Sequence, residues 1–74
     1  MYVGNIMNLF NKMKADEVMK LGFTSGKSIN YIIPSDKLEI VKGDLKITRQ
    51  NETGRIITFV DCAEVECACI IKED

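Results

Sequence analysis

The sequence predicts an α+β domain: an N-terminal helix followed by a small antiparallel β-sheet, sandwich or partly closed barrel of four or five strands. Three observations predict it. Apolar residues recur at helical spacing near the start, the period drops to two from residue 29, and short turn signals divide the rest of the chain. Seventy-four residues make a single domain spanning 1–74, with a helical segment at 5–21 and a β-rich segment at 28–71.

Within 5–21, Ile6, Leu9, Phe10 and Met13 share one side, and Val18 and Leu21 prolong the apolar character. A break at Lys14-Ala15 would let Asp16 cap a second short helix. Gly22 suits the left-handed position after a helix, with Phe23 folding back onto Val18.

The run Ile29–Ile33 reads as a strand that Pro34 ends, because proline offers no ladder donor. Ser35-Asp36 turns the chain, residues 38–41 form a second short strand, and Gly43-Asp44 makes another turn. The strongest local signal is a hairpin in which Asn51-Glu52-Thr53-Gly54 joins DLKITRQ to RIITFV. Leu45, Ile47, Ile57 and Phe59 are expected on one face, with Phe59 in the core. Ile56 and Val60 leave the return strand apolar on its other face as well. Asp61 marks a corner before CAEVECACII, whose Val65, Cys67, Cys69 and Ile71 share a face.

Composition narrows the function classes. The chain is 46% apolar and 28% charged with one proline, which is globular rather than disordered. It contains no histidine, so the usual general base and the commonest metal ligand are missing. Net charge is −1, too acidic for a nonspecific DNA coat. No apolar run reaches membrane-spanning length, and MYVGNIMNLFNKMK lacks the pattern of a secretory leader. Three cysteines, an odd number, fit a reducing compartment, so a cytoplasmic location is expected.

GFTSGKS at 22–28 ends as a phosphate-binding loop does. That loop needs its first glycine at position 21, where Leu21 stands, and it must join a strand to a helix. Here the expected order is reversed. The segment reads as a helix stop and a turn.

Cys62, Cys67 and Cys69 have the spacing C-x4-C-x-C. Thiolates at 67 and 69 would share a strand face, which makes two ligands of a soft metal geometrically possible. Next to Val65 and Ile71, the favoured reading is small buried hydrophobes, with no metal and no cofactor. The carboxylates fit a helix first turn (Asp16, Glu17) and a solvated strand face (Glu64, Glu66). No nucleophile–base pair stands out, so a non-enzymatic protein is expected.

The hairpin and its approach carry Lys42, Lys46, Arg49 and Arg55, diluted by Asp44 and Glu52. These four are the candidate nucleic-acid contacts, with Tyr31 or Phe59 able to stack a base if exposed. Lys46 and Arg49 have opposite strand parity, so a regular ladder separates them.

The run GFTSGKSINYIIPSDKLEIVKGDLKI resembles the opening of the tryptophan-activated RNA-binding attenuation protein family of bacilli. The shared features are Gly22-x-Thr24-x-Gly26, Lys37-Leu38-Glu39 and Lys42-Gly43, and the likeness could cover residues 22 to about 69. It implies β-sandwich protomers joined edge to edge into rings that bind tryptophan between protomers and wrap single-stranded RNA. The family's Lys-Val-Arg rim falls near Ile57-Thr58-Phe59, which carry no base.

The functional expectation is a small non-enzymatic regulatory or adaptor protein that acts as a homo-oligomer and binds another macromolecule, with a protein partner favoured over RNA. The alternatives are a single-stranded RNA-binding or small-molecule-responsive transcript regulator, and a cysteine-ligated metal-binding module.

Overall fold

The computed structural model describes residues 2–26 and 32–72. Helix α1 spans Val3–Lys12, and five strands come after it: β1 (Glu17–Phe23), β2 (Lys37–Val41), β3 (Asp44–Asn51), β4 (Gly54–Val60) and β5 (Val65–Lys72). All pairing between strands is antiparallel. β1 pairs with β5 in one sheet, and β2, β3 and β4 form the other in that order. The α+β architecture is the expected one.

In α1, Val3, Ile6, Met7 and Phe10 recur at three- and four-residue steps, with Leu9 and Met13 flanking. Ile6 is fully buried and the other five are packed partly against the core. This is the amphipathic stripe the spacing predicts. The helix stops sooner than expected. Met13 turns extended, and a tight turn comes next, in which the Lys14 N–H donates to Glu17 Oε1 at 2.7 Å and the Glu17 N–H to the Lys14 carbonyl at 3.0 Å.

Residues 17–21, read as helix, are strand. β1 buries Met19 and Leu21 toward the core and Val18 on its other face. With Val18 buried on the face opposite Met19 and Leu21, it loses the clean alternation that marks a strand. Val18 and Leu21, three apart, mimic a helical step instead. Gly22 is a strand residue opposite Cys67 and has no positive φ; the left-handed glycine of this segment is Gly26, at φ +83°. Its N–H donates to the Phe23 carbonyl at 2.9 Å, so GFTSGKS leaves a strand through a turn.

The expected strand over 29–33 lies outside the described residues except for its end. There Ile32 forms a two-way bridge to Met19, with N–H to carbonyl distances of 2.9 and 2.8 Å. This bridge links β1 to the segment that enters β2. The core lies around it. Ile6, Met19, Leu21, Ile32, Leu38, Leu45, Ile47, Val60, Cys62 and Val65 form one buried cluster drawn from the helix and both sheets.

The β2–β3 turn is Lys42-Gly43, one residue earlier than expected. Both residues have positive φ (+53° and +82°), the pairing of signs that a tight primed hairpin turn requires. The β3–β4 connection stands where the sequence puts it. Asn51 pairs with Gly54, and Asn51 Oδ1 accepts from both the Thr53 N–H and its hydroxyl at 3.0 Å. At the Asp61 corner, Oδ1 accepts from the Ala63 N–H at 3.0 Å and opens a single 3₁₀ turn, Cys62–Glu64. The Thr24 N–H donates to the Glu64 carbonyl at 2.9 Å, which ties this corner to the end of β1. The two apolar strand runs therefore leave Asp61 into different sheets.

Candidate interaction surface

Register decides which side chains share a face. Leu45 lies opposite Val60, Ile47 opposite Thr58 and Arg49 opposite Ile56. The inward face of the three-stranded sheet thus carries Leu38, Leu45, Ile47 and Val60. The outward face carries Lys37, Glu39, Lys46, Thr48, Arg55, Ile57 and Phe59. This corrects the expectation that Ile57 and Phe59 sit with Leu45 and Ile47. A pairing that joins 45 to 60 couples odd to even positions, so the return strand shows its odd residues outward.

Phe59 is accordingly no core residue; it is 63% exposed. Ile56 (52%) and Ile57 (47%) are exposed as well, and only Val60 of β4 is buried. Among the described residues β4 is hydrogen-bonded only to β3, so its outer edge presents unpaired backbone groups beside three large apolar side chains. Ile40 and Val41 add exposed apolar surface at the opposite edge, on β2.

The four basic candidates do not form one surface. Lys42 occupies the β2–β3 turn. Lys46 lies on the outward face between Glu39 and Phe59, and Arg55 is on the same face toward the other end of β4. Arg49 faces inward, as its parity requires. Its Nε donates to Asp36 Oδ1 and its Nη2 to Oδ2, both at 2.8 Å. The Asp36 side chain is fully buried, and its Oδ2 also accepts from the Ile33 N–H at 3.0 Å. The hydrogen bonds it donates to Asp36 hold the Arg49 guanidinium above its ordinary pKa. This fork pins the turn that enters β2 to the middle of β3. Nothing in the sequence spacing points to it: Asp36 reads as one more turn aspartate. Tyr31, the other candidate stacking residue, lies outside the described residues.

The cysteines divide unevenly. Cys62 is buried, and burial, with Asp44 nearby, pushes its thiol above the usual range. Cys67 and Cys69 are exposed, against the expectation of buried hydrophobes. A shift in register between Gly22 and Phe23 moves the inward face of β5 from Val65 to Ala68 and Ile70. The thiols then point outward. Among the described residues, no cluster of three or more Cys, Asp or Glu side chains is placed to hold a metal ion, and no helix is long and apolar enough to cross a membrane.

Comparison with protein-family models, curated proteins and solved structures finds no match, to the attenuation family or to any other.

Proposed function

We propose that this chain is a small non-enzymatic regulatory or adaptor protein that works in the cytoplasm as a homo-oligomer and meets its macromolecular partner through β4. One observation carries the reading: an edge strand without an outer neighbour among the described residues exposes Ile57 and Phe59 on its outward face and Ile56 on the other. Edges of this kind invite strand addition, in which main-chain hydrogen bonds supply affinity and alternate side chains supply selectivity. Among the described residues β5 offers a second edge on the same chain, with Cys67, Cys69 and Ile71 exposed along it. A chain with two different open edges can join head to tail, and such contacts close into a ring when the rotation allows. The small size of the domain argues the same way, since a short chain buries a limited share of its surface alone.

Light scattering at micromolar concentration should report a mass above one chain. Ile57→Lys, a change at an exposed position, should return it to one chain while leaving the circular dichroism spectrum unchanged. A wild-type chain that remains monomeric under these conditions sinks the proposal.

The second reading, a single-stranded RNA-binding regulator, gains from Phe59 standing exposed directly across from Lys46, with Arg55 on the same face. A ring flanked by cations is how base stacking and phosphate contact combine. Glu39 on the other side of Lys46 and the Lys37–Glu39 ion pair at 3.9 Å reduce the positive field there. The apolar edge is the stronger feature.

A further inference from the structure

Cysteine is among the residues most often found buried, so two exposed cysteines on one short strand need a reason. Cys67 and Cys69 are two apart in β5 and share its outward face. Across the ladder, Cys69 lies opposite Lys20 and Cys67 opposite Gly22. The glycine matters. A Cβ at position 22 would stand 2.8 Å from Cys67 Sγ, so the sulfur lies over β1 backbone that only glycine leaves open. Two thiols, the space for one of them and a cation beside the other occupy one patch of a two-stranded sheet.

We propose that Cys67 and Cys69 bind one soft monovalent d10 metal ion, Cu(I) in the cell, as a two-coordinate bis-thiolate with Lys20 as its counter-charge. The inference is independent of the oligomer reading. Soft thiolate ligands select such ions. Two residues of strand advance about 6.6 Å, and a linear sulfur–metal–sulfur bridge spans about 4.6 Å at a bond length of ~2.3 Å. Each sulfur therefore leans inward by about 1 Å, within the reach of its single χ angle. On binding, each thiol releases its proton and no electron is transferred. The complex carries one negative charge, which the Lys20 ammonium offsets. Zinc wants four ligands, and among the described residues no third Cys, Asp or Glu is grouped with this pair to complete its set. Cys62 is buried on the inner side and takes no part.

The test is a titration of the reduced 74-residue chain with Ag(I) as a redox-inert probe, then with Cu(I) held by a colorimetric chelator. Native mass spectrometry and chelator bleaching give stoichiometry and affinity. One metal ion per chain is expected, with both thiols protected from alkylation. Cys67→Ser and Cys69→Ser should each lose at least tenfold in affinity, and Lys20→Gln about threefold to fivefold, the size of one Coulomb contact at high dielectric. All three changes are at exposed or half-buried positions, and circular dichroism verifies that each variant folds. Uptake unchanged in the Cys67→Ser/Cys69→Ser double variant overturns the proposal. So does one metal ion shared by two chains, or zinc bound as tightly as Cu(I).

Discussion

Asp36 is a fully buried carboxylate met by the two arms of one guanidinium, with the Ile33 N–H as its third donor. Removing the arginine leaves that charge with a single backbone donor in a place water reaches poorly. The usual cost of breaking a buried pair from one side is about 3–5 kcal/mol. Arg49 keeps 35% of its side chain in solvent, which screens the pair and places Arg49→Ala nearer about 2–3 kcal/mol. Urea denaturation should show that loss, and a change under about 0.5 kcal/mol would mean the fork is not formed in solution. Lys42 poses the converse case. It holds φ +53° in a tight turn, a region that costs a non-glycine residue roughly 1 kcal/mol and that asparagine tolerates well. Lys42→Asn should therefore stabilise the fold by about 0.5–1 kcal/mol, read as a higher denaturation midpoint. An unchanged or lower midpoint would show that the lysine side chain contributes something the turn geometry does not explain.

Among the elements, β1 and β4 show how burial on each face governs what a sequence reveals. α1, the β3–β4 hairpin and the Asp61 corner are legible because each has a one-sided signal: an apolar stripe, a turn residue at the required φ, an aspartate ahead of a 3₁₀ turn. β1 is not, because Val18 is buried on the face opposite Met19 and Leu21, which erases the period of two. β4 is legible as a strand but not in its facing. Ile56, Ile57, Phe59 and Val60 are apolar on both sides, so only the cross-strand register assigns the core face. The exposure of the thiols is hidden for a related reason, since one register shift in the β1–β5 ladder exchanges the faces of β5. The candidate cations are visible, yet Arg49's commitment to Asp36 is not, because the two meet only through the fold. Truncations test both strand assignments together. Leu21→Ala, at a position with no exposure, should cost about 3 kcal/mol, while Phe59→Ala, at 63% exposure, should cost the isolated chain under about 0.5 kcal/mol. Equal losses at the two sites would reverse the facing of β4.

At the scale of the whole molecule, the two readings of β4 require different responses to salt. If phosphates are the ligand, they must meet the cations that share a face with Phe59, namely Lys46 and Arg55 beside a Lys37 already paired with Glu39, with Lys42 at the nearby turn. Arg49 drops out of this set, being turned inward and bonded to Asp36. Counterion release from single strands contributes about 0.7 to the log–log salt slope for each phosphate neutralised. Lys46→Ala with Arg55→Ala should therefore flatten the slope by about 1.4, and Phe59→Ala should weaken binding at every salt concentration by the ~1–3 kcal/mol that base stacking supplies. An apolar contact between chains behaves otherwise. Its affinity is nearly flat in salt, falls with Ile57→Lys, and ignores the removal of Lys46. The deciding measurement is a salt titration of binding to a mixed-sequence single-stranded RNA pool, run beside light scattering on the same samples. With Glu39 bordering the basic face and an apolar edge beside it that is unpaired among the described residues, we expect salt-insensitive self-association and no retained RNA. Absence of RNA binding even at low salt eliminates the nucleic-acid reading. A steep slope that depends on Lys46 and Arg55 would instead make RNA the partner and leave the β4 edge as its scaffold.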